Sequence, residues 1–90
     1  MADQTPKVLI EYPSVYTFKV MGRVEGFREL VLGLFHRTLG QEISPDSVHE
    51  QPSSAGKYVS LSVSVYLLSE DQRVRVYGAF HQEKRILYYL

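Results

Sequence analysis

Gly22, Arg23, Gly26 and Arg28 fall within seven residues, GRVEGFR, and together carry the chemistry of an anion-binding turn. Glycines ahead of a helix let backbone N–H groups face a ligand, and two guanidiniums nearby can clamp a carboxylate or phosphate. The plainer account of the same residues is a tight strand-to-helix turn with Arg23 and Arg28 in solvent. His36, His49 and His81 are the other side chains suited to acid–base or metal chemistry, but they fall on three different elements, without ligand spacing. The serines of residues 47–64 fit strand and hairpin roles, and no Ser, Cys or Lys is paired with a base in the manner of an activated nucleophile. No catalytic residue, metal ligand or cofactor is therefore expected.

The turn resembles the phosphate-cradling loop of the acylphosphatase family, whose pattern runs roughly G-R-V-Q-G-V-x-F-R. Here Glu25 replaces the Gln, and the stretch before Phe27 and Arg28 is two residues short. That family orients its attacking water with an Asn, and this chain contains none. An acylphosphatase-like hydrolase is thus the enzymatic alternative, and the sequence argues against it.

These residues must be positioned by the elements around them. The governing stretch is Lys57 to Leu67, in which Val59, Leu61, Val63, Val65 and Leu67 alternate with Tyr58, Ser60, Ser62, Ser64 and Tyr66. Such alternation predicts a strand buried on one face, with a serine-lined centre on the other that nothing large and apolar covers. A first strand is expected over Val15 to Met21, with Tyr16, Phe18 and Val20 inward. From about Val24 to Leu39 the period becomes helical, with Phe27, Leu30, Val31, Leu34, Phe35 and Thr38 on one stripe and Gly40 as the stop. Pro45 and Asp46 make a turn before a short polar edge strand over Ser47 to Gln51, and residues 52–56, PSSAG, read as a hairpin loop.

Ser69 with Gln72 is a capping-box signature for a second helix reaching about Glu83, with Val74, Val76, Tyr77 and Phe80 inward. A last strand follows over Arg85 to Leu90. Its alternation predicts Ile86, Tyr88 and Leu90 toward the helices and Leu87 and Tyr89 on the open side, where they are candidate interface residues. A fold-back of Val8 to Tyr12 over that edge is the alternative.

The order βαββαβ specifies an α+β fold: a ferredoxin-like plait with a four-stranded antiparallel sheet, two helices on one face, the first and third strands central and the second and fourth at the edges. The 90 residues make one domain, with residues 1–14 an N-terminal lead and 15–90 the core. Ten basic and ten acidic residues cancel, which disfavours nucleic acid as a partner. The third strand is also unlike an RNA-recognition sheet, because Ser60 follows Tyr58 where a second outward aromatic is needed. With no cysteine, no signal-like start and no long apolar run, a cytoplasmic location without membrane association is expected.

Three segments in order, IEYPSVYTFKVMG (residues 10–22), PSSAGKYVSLSVSV (residues 52–65) and the apolar C-terminal strand, resemble the YbeD-like family of small bacterial proteins. The resemblance implies a fold similar to ACT regulatory domains, which usually dimerise and bind a small ligand near the loop after the first strand. Carried onto this chain, it makes Lys19, Met21, Gly22, Arg23, Gly26 and Arg28 candidate ligand-binding residues, for an amino acid or organic acid. It also implies a non-enzymatic regulatory module, responding to a small metabolite or acting in trans on a partner protein. The competing reading is an interaction module that uses the C-terminal edge strand and open sheet face, as a homodimer or with another protein.

Overall fold

Burial along the third strand alternates residue by residue, and the rest of the domain is built on that strand. The computed structural model describes residues 10–90, in which β1 (Ser14–Arg23), α1 (Phe27–Leu39), β2 (Val48–Pro52), β3 (Tyr58–Leu67), α2 (Glu70–Gln82) and β4 (Tyr88–Tyr89) follow in sequence. The strands form one antiparallel sheet in the order β2-β3-β1-β4, the plait expected from the sequence. Expectations for residues 1–9, including most of the Val8 to Tyr12 fold-back, lie outside the described residues.

β1 and β3 pair over their full ten-residue lengths, from Ser14 opposite Leu67 to Arg23 opposite Tyr58. Phe18, Val20, Val59, Leu61, Val63, Val65 and Leu67 point one way and are buried. Phe27, Val31, Leu34 and Phe35 of α1 meet them from above, with Val76 and Phe80 of α2. Phe18 is the aromatic hub: its ring centroid lies 5.4 Å from that of Phe35 and 5.7 Å from that of Phe80. Burying each such ring contributes about 2–3 kcal/mol. On the other face Thr17 and Ser64 are hydrogen-bonded through their hydroxyls at 2.8 Å, a polar cross-strand pair at the serine-lined centre.

The punctuation is local chemistry. Gly40 ends α1 in the left-handed region at φ 70°, its N–H donating to the His36 carbonyl. In the β2–β3 loop the Ser53 hydroxyl accepts from the Tyr58 N–H, while Gly56, at φ 73°, donates to the Ser53 carbonyl. At the start of α2 the Ser69 hydroxyl accepts from the Gln72 N–H; the returning Gln72 side chain takes the Leu68 N–H at 2.7 Å, one residue earlier than the usual capping box.

Three expectations need correction. α1 starts at Phe27 rather than near Val24, because Gly26 occupies the left-handed region at φ 64° and cannot continue a helix backwards. Val74 is exposed, since two residues advance a helix by about 200° and it cannot share a face with Val76. The last strand is shorter than Arg85 to Leu90 and runs in the opposite phase. A turn closed by the Ile86 N–H on the Glu83 carbonyl carries Ile86 into the core before pairing begins, so the burial of Ile86 does not set the alternation that follows. Val20 pairs with Tyr89 and Met21 with Tyr88, which turns Tyr89 toward the helices and Tyr88 to the open face.

Candidate functional site

Gly22 is the residue around which the candidate ligand turn is assembled. It is buried at the end of β1, and a Cβ there would lie 2.3 Å from Phe27 Cε1 and 2.6 Å from the Arg85 carbonyl oxygen. The absent side chain lets the β1–α1 and α2–β4 connections close side by side. Gly22 therefore positions its neighbours and does not itself face a ligand. Gly26 is exposed, and its carbonyl accepts the first α1 bond from Leu30 N–H at 3.0 Å.

The charged candidates diverge. Arg28 reaches β2, with Nη1 3.3 Å from Glu50 Oε1. Arg23 stands over the Tyr58 ring, 5.8 Å from its centroid, and 3.9 Å from Glu25. Lys19 and Met21 belong to the open face, where they line a shallow cleft of about 330 Å³ with Gln51, Ser53, Tyr58 and Ser60. The two guanidiniums thus do not converge on one anion in the manner of a phosphoryl cradle.

A second cleft, of about 310 Å³, opens between the two connections that Gly22 brings together. Phe27, Leu30 and Leu87 supply its apolar walls, and Arg23, Glu25, Lys84 and Arg85 its charged ones. Leu87, expected on the open side, is 57% exposed at this cleft. Tyr89, the other candidate interface residue, packs against Tyr77 and Phe80, with centroids 5.8 and 5.6 Å away. Sequence reasoning passed over Lys84 and Arg85; their signal was a pair of adjacent cations directly before the apolar terminal run.

Beside this cleft the Arg85 N–H and then its guanidinium lower the Glu83 carboxyl, and the larger perturbed titrations lie in a seam joining the start of β1 to α2. Glu70 accepts from the Tyr12 hydroxyl and from Arg73, whose Nε is 2.9 Å from Glu70 Oε1. Arg73 first, then Tyr12, lower the Glu70 carboxyl to about 2. Arg73 also lies over the Tyr16 and Tyr77 rings, and the two tyrosine hydroxyls are 2.9 Å apart. Burial, followed by that hydroxyl contact, raises Tyr77 well above the ordinary phenol range. No buried side-chain nitrogen or oxygen among the described residues lacks a partner, which fits a structural tether. The histidines stay apart: His36 is 3.7 Å from Glu42, His81 is 3.4 Å from the Tyr89 hydroxyl, and His49 lies on β2.

The fold is shared with known proteins. The model of a protein family described as "Protein of unknown function (DUF493)" matches residues 7–90. The chain belongs to this family. It is the family seen in the YbeD-like resemblance of the opening strand and hairpin. DUF493 relatives include a UPF0250 protein of Leptothrix cholodnii, 43% identical over 70 residues, covering 77% of this chain and 76% of the relative. Another, from Janthinobacterium, is 34% identical over 83 residues, covering 91% of this chain and 90% of that one. The solution structure of protein HP0495 from H. pylori superposes with a TM-score of 0.77 at 19% identity, over 100% of this chain and 94% of that one, and so shares the fold. No helix among the described residues of this DUF493 chain is long and apolar enough to cross a membrane.

Proposed function

We propose that the chain is a non-enzymatic regulatory module that acts in trans, working as a two-fold dimer packed through the open face of its sheet. The observation that carries this reading is the placement of exposed apolar side chains on that face. Val15, 67% exposed, pairs with Tyr66 at one end, while Met21, Tyr58, Tyr88 and Leu90 gather at the other around the β1–β4 pairing. Between them lie Ser60, Ser62 and Ser64, beside Thr17 and Lys19 of β1.

An apolar patch at each end with a small polar centre is self-complementary. A two-fold axis between the two sheets, parallel to them and running across the strands, sets the Val15–Tyr66 end of one copy on the Met21–Tyr88 end of the other, and serines meet serines. Two ten-residue strands flanked by one of five residues and one of two give a face of about 430 Å², or about 850 Å² buried over both copies, in the range of weak, transient contacts. The association expected is therefore reversible. Regulation fits a small module of ACT-like fold.

Sedimentation equilibrium from about 1 to about 300 µM protein, a range that spans a reversible dissociation constant, tests the reading. Wild-type chain should pass from one to two copies, and Met21→Asp or Tyr88→Asp should hold it at one. Wild type with the mass of one chain throughout would exclude the dimer.

A further inference from the structure

We infer that the cleft between the β1–α1 and α2–β4 connections binds a small organic anion with an apolar body, an aromatic or branched group carrying one carboxylate, sulfonate or phosphate. The inference goes beyond the dimer, because this cleft lies on the helix side of the sheet.

The cleft exists because Gly22 lets the Phe27 ring and the Arg85 carbonyl approach, which holds the two connections together over a cavity of about 310 Å³. That volume is at the small end for ligand sites and suits a body of one or two rings. Its walls divide the chemistry: Phe27, Leu30 and Leu87 are apolar, while Arg23, Lys84 and Arg85 outnumber Glu25 by three to one. In a chain of zero formal net charge that is a local positive excess. The Arg23–Glu25 contact at 3.9 Å joins two largely exposed groups and neutralises little. Arg85 turns to Glu83 at 3.3 Å, and Lys84 forms no ion pair among the described residues. An inorganic anion would leave the apolar walls wet, and a neutral hydrocarbon would leave Lys84 unanswered. Only a ligand with both parts matches both surfaces.

Naphthalene-2-sulfonate serves as the probe, with neutral 2-naphthol and inorganic sulfate as controls, followed by amide chemical shifts of the full chain. The expected result is saturable binding of the sulfonate with shifts at residues 23–30 and 84–87, and weaker binding of each control. Leu87→Asp, at an exposed position that leaves the core intact, should weaken binding about tenfold through lost apolar contact and an added negative charge. Lys84→Glu should weaken it severalfold through reversed charge. Tyr88→Asp, which reports on the dimer, should bind as wild type does. Any of four results would overturn the inference: shifts confined to the open face, equal binding of 2-naphthol, wild-type affinity in both cleft variants, or loss of binding in Tyr88→Asp.

Discussion

Gly22 and Phe27 pack so closely that the α-carbon of the glycine is in effect a wall of the Phe27 pocket: one added carbon would stand 2.3 Å from the ring. The same carbon would stand 2.6 Å from the Arg85 carbonyl oxygen, which as backbone cannot swing away. Gly22→Ala should therefore lower stability by about 1–3 kcal/mol, the usual cost of overpacking. A shift of the urea midpoint at unchanged slope is the expected reading; an unshifted midpoint would mean that the two connections separate freely.

Gly78 is the contrasting case. It sits inside α2, exposed, and a Cβ there would meet nothing within 4 Å. Gly78→Ala should raise stability by about 0.5–1 kcal/mol, by reducing the freedom of the unfolded chain and favouring helix. Thermal unfolding of the two glycine variants side by side should move the melting temperature in opposite directions.

The two terminal tyrosines separate association from stability. Tyr88 is 56% exposed on the open face, whereas Tyr89 is half-buried against Tyr77 and Phe80. Tyr89→Ala should cost about 1–2 kcal/mol through lost ring packing. Tyr88→Ala should stay within about 0.5 kcal/mol while weakening self-association. Urea unfolding at a concentration that keeps both variants monomeric measures the first effect, and sedimentation the second.

How much of this was legible in the sequence follows from the range over which each signal acts. The strict alternation of Val59 to Leu67 and the helical stripe from Phe27 to Phe35 are dictated by local period, and they appear where expected. Gly40 and Ser69 likewise carry their capping roles within a few residues. The terminal run was misread because Ile86, Leu87, Tyr88, Tyr89 and Leu90 are all apolar, so alternation has no contrast to show, and the phase is set instead by the turn at Glu83–Ile86. The second cleft was illegible for a different reason. Residues 23–30 and 84–87 are some sixty apart in the chain, and only the Gly22 contact shows that they meet.

Acid stability should report the Glu70 tether. Its carboxyl titrates at about 2 in the folded chain, against an ordinary 4.5, because Arg73 and Tyr12 hold the ionised form. A depressed folded pKa contributes stability that is present above 4.5 and is lost as the pH falls toward 2. Glu70→Gln should therefore melt below wild type at neutral pH, and the gap should close through that window. A gap that stays constant from pH 7 to about 2 would remove the ionised pair as its cause.

Alkaline unfolding runs the opposite way, through Tyr77. Its hydroxyl is held neutral by burial and by the Tyr16 hydroxyl 2.9 Å away, so its folded pKa stands above the ordinary value of 10.0. Stability from such a group is complete below 10.0 and declines once the pH rises past it, because the unfolded chain ionises first. Tyr77→Phe removes the titrating group but leaves the Tyr16 hydroxyl without that partner. The variant should be less stable than wild type at pH 7, by about 1 kcal/mol for one lost hydrogen bond, and the difference should shrink above pH 10. Calorimetric melting of both proteins from neutral to alkaline pH measures it; parallel curves would show that this hydroxyl pair does not couple folding to ionisation.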